Sequence, residues 1–337
     1  METSHNTGHG PSEDDALLEN RLDLSDLSGA VERLQAEVGK ILVGQQRLVR
    51  LLTAALLAEG HVLIEGVPGV AKTLSARLLA RTLSVEFGRL QFTPDLMPAD
   101  VTGTSVFDPQ TRTFSFQPGP IFANVVLIDE INRAPAKTQA ALFEVMEERT
   151  VTADGETHAL DAPFTVLATQ NPLEHEGTYR LPEAQLDRFL FKIDVGYPSK
   201  EEETQILAGH HAGRSPDAIE QVEPVLTAED VLALRRSVRE VHVEEALMAY
   251  VAEIAARTRS HPSLTLGASP RASVAVMRGA KALAALDGRD FVTPEDLRAT
   301  CGPALRHRLI LTPEEEMEGR RPDEVIGEIV EEIDVPR

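Results

Sequence analysis

The sequence has no tryptophan, a single cysteine and only 4% aromatic residues. One cysteine, Cys301, excludes an intramolecular disulfide and any cysteine-rich metal site, which is consistent with a reducing compartment. The shortage of aromatic rings leaves few side chains that could stack on bases or sugars. No apolar run approaches the roughly 20 residues of a membrane span, and the acidic start of the chain is unlike a signal peptide. We therefore expect a cytoplasmic protein without a membrane span.

Basic residues are also scarce: 33 Lys and Arg stand against 54 Asp and Glu, a formal net charge of −21. A charge of this sign repels a phosphate backbone, so it argues against a nucleic-acid partner. The excess is concentrated in residues 1–40 and 312–337, which together carry −13. The rest of the chain is only mildly acidic, and the total charge mainly describes the two ends.

The composition of the chain changes along its 337 residues, a length that allows more than one domain. Residues 1–28, rich in Ser, Gly, His and acids, predict a disordered acidic tail before a helix at Gly29–Lys40. Within 29–198, short apolar runs with many β-branched residues are typical of strands buried in a parallel sheet. These runs are His61–Glu65, Val85–Phe92, Val125–Asp129, Phe164–Thr169 and Phe191–Val195. Helical segments alternate with them, which predicts a doubly wound α/β core.

Two stretches interrupt this alternation. Residues 106–118 and 150–163 each alternate polar and apolar side chains around a turn, which predicts two β-hairpins inserted into the core. After Pro198 only helical periodicity remains. Residues 199–337 are therefore predicted to form an all-helical second domain with an acidic C-terminal end.

The most informative motif is the run GVPGVAKT between the first predicted strand and a helix. It comprises Gly66, Val67, Pro68, Gly69, Val70, Ala71, Lys72 and Thr73. In this context the backbone N–H groups and the helix N-terminus can hold phosphates, Lys72 can reach the β and γ oxygens, and Thr73 can ligate Mg²⁺. Ala71 stands where a glycine usually precedes the lysine, so we expect a helical backbone there. The run predicts a nucleotide-binding loop.

Two adjacent acids, Asp129 and Glu130, follow the buried run at 125–128. Because the carboxyl ends of parallel strands face the same crevice, both side chains can reach a bound nucleotide. We expect Asp129 to hold Mg²⁺, directly or through water, and Glu130 to act as the general base on the attacking water.

Three further polar residues follow at intervals. Asn171 ends the next predicted strand and can orient the attacking water, although Asn-Pro also forms simple turns. Arg188 can be a finger offered to a neighbouring subunit, or a surface arginine paired with Asp187. Arg271, at the start of a helix in the second domain, is expected to reach back to the phosphates of its own chain.

Several runs within residues 30–330 resemble the MoxR branch of the AAA+ ATPases. They are Val43-Gly44-Gln45, GVPGVAKT, QFTPDLMPADVTGT (91–104), GPIFANVVLIDEINRAPAKTQAALFEVMEER (119–149), VLATQNPLEHEGTYRLPEAQLDRF (166–189) and SPRA (269–272). The resemblance implies an AAA+ P-loop core with a helix-flanked parallel sheet at 29–198 and a lid domain at 199–337. In this branch alanine commonly precedes the loop lysine.

The resemblance also implies roles for single residues. Nucleotide binding is assigned to Val43, Gly44, Gln45, Leu74 and Asp129, in addition to the eight loop residues 66–73. By the same resemblance Lys72 and Thr73 belong to the Walker A motif and Asp129 and Glu130 to Walker B. Asn171 is sensor 1, Arg188 the arginine finger and Arg271 sensor 2, and Arg133 is a further subunit-contact residue.

At the level of the whole protein, the resemblance implies a Mg²⁺- and ATP-dependent hexameric ring with its sites at subunit interfaces. Such proteins remodel protein clients, often with a partner that carries a von Willebrand factor A domain, during enzyme maturation or metal-cofactor insertion. Three alternatives stay open: a DNA-translocating or DNA-melting motor, a metal-chelatase motor subunit, and a nucleotide-gated scaffold. The hairpins argue against DNA, because Arg112 and His158 are accompanied by several acids.

Overall fold

The computed structural model describes residues 24–336 apart from Pro68, Thr111, 173–177, Arg180 and 212–217. Of the acidic tail predicted for residues 1–28, residues 1–23 lie outside the described residues. Its last residues are helical, because the first helix begins at Ser25 and not at Gly29. Leu24 and Leu27 are buried in the core, and this burial draws the start of the helix toward the N-terminus.

Strands and helices alternate through the first part of the chain. The strands are β1 (His61–Gly66), β2 (Phe87–Gln91), β3 (Gly103–Asp108), β4 (Thr113–Pro118), β5 (Val125–Asp129), β6 (Thr150–Ala153), β7 (Glu156–Ala159), β8 (Thr165–Gln170), β9 (Phe189–Val195), β10 (Leu264–Leu266) and β11 (Ile310–Leu311). The helices of this part are α1 (Ser25–Gly39), α2 (Gln46–Leu57), α3 (Lys72–Thr82), α4 (Pro98–Thr102), α5 (Ala136–Glu148) and α6 (Glu183–Leu186).

A parallel five-stranded sheet forms the core, in the order β2-β5-β8-β1-β9. All five runs predicted as strands from the sequence are confirmed, within a few residues at their ends. Alternate residues of a strand face opposite sides. Val62 and Ile64 of β1 accordingly pack with the cluster that contains α1 to α3, and Leu63 packs with the cluster that contains α5. The sheet is thus covered by helices on both faces.

The two predicted hairpins are present outside the main sheet. Strands β3 and β4 pair antiparallel, and so do β6 and β7. The ring of Phe116 in the first hairpin stacks on that of His158 in the second, with centroids 4.0 Å apart. This stack joins the two insertions, which the sequence does not indicate.

The helices of the second unit are α7 (Lys200–His211), α8 (Ala228–Glu240), α9 (Glu245–Ser260), α10 (Pro270–Leu286), α11 (Pro294–Leu305), α12 (Pro313–Met317) and α13 (Pro322–Glu332). Helices α8, α10 and α11 pack against the core. The prediction of a purely helical unit needs one correction, because β10 and β11 form a short antiparallel ribbon. Extended pairing satisfies backbone groups of the segments that connect helices here. No helix in the described part of the chain is long and apolar enough to cross a membrane.

Two histidines are buried beside the core sheet. His61 donates from Nε2 to the Met146 carbonyl oxygen at 3.1 Å and accepts the Val166 N–H at Nδ1. Burial, followed by the charges of nearby arginines, lowers the pKa of His61 from 6.5 to about 4. Burial likewise lowers the pKa of His307 well below its ordinary value. Both rings are therefore neutral in the folded protein at pH 7.

These buried histidines predict a loss of stability in acid. As pH falls from 6.5 toward 4, the unfolded chain binds a proton at residue 61 that the folded chain does not bind, so the free energy of unfolding decreases by up to about 3 kcal/mol. His61→Gln should flatten this pH dependence even if it lowers stability at pH 7.5. Thermal melting of both proteins between pH 7.5 and 4.5 is the measurement, and an unchanged dependence in the variant would contradict the neutral ring.

Candidate active site

The loop between β1 and α3 has the backbone that phosphate binding requires. Gly69 adopts a positive φ of 87°, and a Cβ on Gly66 would lie 2.6 Å from the carbonyl oxygen of Val195 on the neighbouring strand. Pro68 lies outside the described residues. Since α3 begins at Lys72, the loop ends at a helix N-terminus, whose N–H groups attract anions.

Ala71 differs from the expectation stated above. Its backbone is left-handed, with φ 61° and ψ 21°, whereas a helical conformation was predicted. A non-glycine residue in this region is strained by about 1–3 kcal/mol. The loop turns around the Lys72 side chain, whose Nζ donates to the Gly66 carbonyl oxygen, immediately before the helix starts. This geometry of the loop overrides the local preference of alanine.

Ala71 therefore allows a direct test of the loop geometry. Ala71→Val should weaken ATP affinity by at least about tenfold, because a β-branched side chain is a genuine outlier at positive φ. Ala71→Gly should stay within about threefold of the unaltered protein, since glycine adopts this conformation without a steric penalty. A fluorescent-nucleotide titration measures both, and tight binding by the valine variant would contradict the left-handed loop.

Lys72 lies over the carboxyl edge of the sheet. Its Nζ donates to the carbonyl oxygen of Gly66 at 2.5 Å and contacts that of Gln170, at the end of β8, at 3.4 Å. The ammonium group is thus held between the loop and the strand that precedes Asn171. This is where the β and γ phosphates of a nucleotide on the loop would lie.

Asp129, at the end of β5, accepts hydrogen bonds from two hydroxyl groups. Its Oδ1 accepts from Thr73 Oγ1 at 3.4 Å and from Thr169 Oγ1 at 3.2 Å. A carboxylate beside hydroxyls fits Mg²⁺, which takes oxygen ligands and usually keeps waters and substrate phosphates in its shell. Arg89 of β2 binds the other oxygen, Oδ2, at 2.9 Å. The structure thus brings Thr73 and Asp129 together and adds Arg89, which the sequence analysis missed.

Glu130 is held by two donors. Its Oε2 accepts from Gln91 Nε2 at 2.8 Å and from Arg133 Nη1 at 3.0 Å. Its backbone N–H donates to the hydroxyl of Thr169 at 3.1 Å. Gln91 is a second residue of β2 that the sequence analysis missed. The sequence held one signal for these two site residues: positions 89 and 91 are polar and alternate in a strand predicted to be buried.

Most of the predicted residues meet at one cavity of about 580 Å³. Its lining includes Val43, Gly69, Ala71, Lys72, Thr73, Leu74, Asp129, Glu130 and Asn171. Gly44 instead lines an adjoining cavity of about 930 Å³ that shares Val43, and Gln45 immediately precedes α2. Val70 is buried in the core and Val67 packs against it, so these two side chains support the loop.

The two remaining arginines lie elsewhere. Arg188 Nη2 pairs with Glu147 at 2.7 Å, and Arg271 Nη2 approaches the same carboxylate at 3.4 Å. Glu147 is near the C-terminal end of α5, roughly 17 Å along this helix from its first residue, Ala136. Arg271 does not line the cavity around Lys72. Both arginines contact the same carboxylate, and the reach of Arg271 to the phosphates of its own chain stays a prediction.

Asp187, the partner considered for Arg188 in the sequence analysis, binds Arg308 instead. The guanidinium of Arg308 contacts Asp187 Oδ1 at 2.6 Å and the carbonyl oxygens of Asp187 and Phe189 at 2.9 and 2.7 Å. Arg308 belongs to the second unit and is almost fully buried. The segment that carries Arg188 is thereby fixed to the lid.

Comparison with known proteins agrees with this geometry. Residues 61–191 match the ATPase family associated with various cellular activities (AAA), and residues 256–329 match the AAA lid domain. The chain is 47% identical to the uncharacterized protein YeaC of Bacillus subtilis, over 92% of this chain and 96% of that protein. It is 45% identical to the chaperone MoxR1 of Mycobacterium tuberculosis, over 91% and 82% of the two chains. A crystal structure from Cytophaga hutchinsonii, assigned as an ATPase, superposes with a TM-score of 0.86 at 39% identity and covers 96% of this chain and 99% of that one.

Proposed function

The chain belongs to the MoxR family of AAA ATPases, and from this premise we propose that it hydrolyses Mg-ATP to remodel protein clients, together with a partner that carries a von Willebrand factor A domain. Remodelling in this sense assists the maturation of client enzymes, including the insertion of metal cofactors. The observation that carries the proposal is the meeting of Lys72, Thr73, Asp129, Glu130 and Asn171 at one cavity.

Each of these residues has a chemical task in ATP hydrolysis. Lys72 and the N–H groups of the loop hold the β and γ phosphates, and Thr73 and Asp129 supply the protein oxygens for Mg²⁺. When bound, this ion neutralises charge on the phosphates. Glu130 takes a proton from the attacking water, and the buried amide of Asn171 orients that water. Gln91 and Arg133 hold the Glu130 carboxylate at a defined position until nucleotide arrives.

The position of the two arginines supports an oligomeric enzyme. Arg188 pairs with Glu147 near the C-terminal end of α5 and is not part of the lining of its own cavity, which supports a role for it at the nucleotide of a neighbouring subunit. An arginine supplied in trans stabilises charge that develops on the transferred phosphoryl group. We propose that identical subunits form a hexameric ring, in which each cavity is completed by the next subunit.

The first hairpin supports a protein client. Phe107 and Phe114 pair across β3 and β4 with ring centroids 5.2 Å apart, and their side chains are exposed by 47% and 70%. Exposed apolar groups of this kind bind other proteins. The stack of Phe116 on His158 connects this hairpin to the second one. The carboxylates of Asp108, Asp154 and Glu156 in the hairpins weigh against binding of nucleic acid.

A capture experiment tests the proposal. The Glu130→Gln variant, incubated with Mg-ATP, should retain clients and a von Willebrand factor A protein that mass spectrometry identifies, and mass photometry should show hexamers. Lys72→Ala, which should not bind ATP, is the matched control. The same captured proteins with both variants would contradict ATP-dependent remodelling. Salt-sensitive micromolar binding of single-stranded DNA would favour the DNA motor instead.

A further inference from the structure

A cluster of cations surrounds Glu59 at the end of the sheet opposite the phosphate loop. Glu59 lies just before β1, whereas the phosphate loop follows the carboxyl end of that strand. We call this group the Glu59 cluster; its cations are Arg149, Arg235, Arg239, Arg278 and Lys281. They come from the C-terminal end of α5 and from helices α8 and α10 of the lid.

Glu59 is the carboxylate that pairs with these cations in the described part of the chain. Its two oxygens bind Arg239 and, at 3.5 Å, Arg149. Burial would raise the pKa of Glu59, but the hydrogen bond from Arg239 and the charges of the arginines lower it, so the group is ionised. One negative charge therefore stands against five positive ones, in a chain whose total charge is strongly negative.

The other cations are hydrogen-bonded to neutral groups. Arg235 Nε donates to the Leu56 carbonyl oxygen at 2.9 Å, and Arg278 donates to that of Ala58. Lys281 Nζ donates to the carbonyl oxygen of Arg239 at 2.8 Å. These carbonyl groups orient the side chains but carry only the partial charge of helix ends. Most of the positive charge remains uncompensated.

Arg235 is the most unusual member. It is only 3% exposed, and its Nη2 atom is buried without a hydrogen-bond partner among the described residues. A buried guanidinium nitrogen with no acceptor is costly and rare in folded proteins. A cavity of about 330 Å³ in the same cluster is lined by Glu59, Arg239, Arg278 and Lys281, together with apolar groups, whereas Arg235 is not part of its lining.

We propose that the Glu59 cluster binds a compact, multiply charged phosphate anion, such as inorganic phosphate or pyrophosphate. Guanidinium forks donate paired hydrogen bonds to phosphate oxygens, and a group with two or more charges on a few atoms compensates more of the excess than a single carboxylate can. The cavity is large enough for one or two phosphate groups.

Such an anion would connect the core to the lid. Leu57, Ala58 and Glu59 belong to the end of α2 and the turn after it, whereas Arg239, Arg278 and Lys281 belong to the lid. A ligand bound to both sides restrains their relative position. The site is separate from the proposed ATP cavity, with which it shares no lining residue.

The pKa of His61 can report on binding of an anion to the Glu59 cluster. After burial, the charges of Arg149, Arg235 and Arg278 contribute to the low pKa of His61. A bound anion offsets these charges, so it should raise the pKa of the His61 ring. NMR titration of the histidine ring signals can follow this change.

Calorimetric titration with pyrophosphate tests the proposal. The full chain should carry Lys72→Ala, which weakens anion binding at the phosphate loop, and chloride should hold the ionic strength constant. We expect saturable, submillimolar binding that becomes at least about tenfold weaker when Arg239→Ala and Lys281→Ala are added. Arg236→Ala, an exposed arginine of the same helix, is the matched control and should leave binding unchanged.

Further variants and ligands make the result decisive. Glu59→Gln removes the competing carboxylate and should tighten binding, and circular dichroism should confirm that each variant folds. Equal affinity in the Arg239→Ala, Lys281→Ala protein and the Arg236→Ala protein would overturn the site, and so would an absence of saturation. Binding of citrate or an acidic peptide without binding of phosphate would overturn the phosphate assignment and identify a carboxylate site.

Discussion

Glu130→Gln is expected to bind ATP about as tightly as the unaltered chain and to lose roughly 10² to 10⁴ in turnover rate. A glutamine amide cannot accept the proton of the attacking water. Its oxygen can still accept from Gln91 and Arg133, which hold the carboxylate in the unaltered site at 2.8 and 3.0 Å. The substitution therefore removes the base and leaves the shape of the cavity intact.

Steady-state phosphate release and a fluorescent-nucleotide titration separate these two effects. Glu144→Gln is a matched control, because Glu144 is an exposed acid on α5 away from the cavity lining. It should retain full activity. Hydrolysis at the unaltered rate by the Glu130 variant would rule out the general-base role, and loss of ATP binding would show that Glu130 instead shapes the binding site.

Arg188→Ala should reduce hydrolysis by about 10³ to 10⁵ while ATP affinity remains nearly unchanged. The guanidinium pairs with Glu147 and is not part of the lining of its own cavity, so its loss should leave the nucleotide contacts within the same chain nearly unchanged. Glu147 keeps a partner in Arg271, at 3.4 Å, which limits the structural damage. Arg236→Ala, which removes an exposed arginine of α8, should leave the rate unchanged.

Mixed assemblies decide whether Arg188 acts in trans. Subunits with Arg188→Ala keep Glu130, and subunits with Glu130→Gln keep Arg188, so some interfaces of a mixed ring contain both groups. Partial recovery of hydrolysis on mixing is the expected result. Without recovery, the finger would have to belong to another residue, and Arg133, which lies against Glu130, would be the next to test.

Local sequence was a good guide wherever the residues that form a feature are contiguous. The five strands, the two hairpins and the strand–loop–helix unit around Lys72 follow from side-chain periodicity and turn residues. The same local logic was wrong at Ala71, where it predicted a helical backbone. Closure of the loop over Lys72 imposes the left-handed conformation, and this is a property of the whole loop, not of one residue.

Residues that come together from distant parts of the chain were harder to find. Gln91 pairs in register with Asp129 across β2 and β5, which brings both Gln91 and Arg89 to the acids of the site. Strand order in the sheet is a tertiary property, so a polar residue in β2 has no evident target until the neighbour of that strand is known. Arg271 illustrates the same limit, because its partner Glu147 lies 124 positions away.

The sequence by itself determined which chemical groups the site contains and which strand or loop carries each of them, because these features depend on neighbours in the chain. The tertiary structure alone decided which groups meet. It placed Arg188 and Arg271 on one carboxylate, Arg89 and Gln91 on the acids of β5, and five cations around Glu59, 180 positions from Arg239. The physical reason is that charge–charge and hydrogen-bond interactions depend on distance in space, and the packing of the lid on the core sets these distances. A net charge of −21 gives no sign of such a local group of cations.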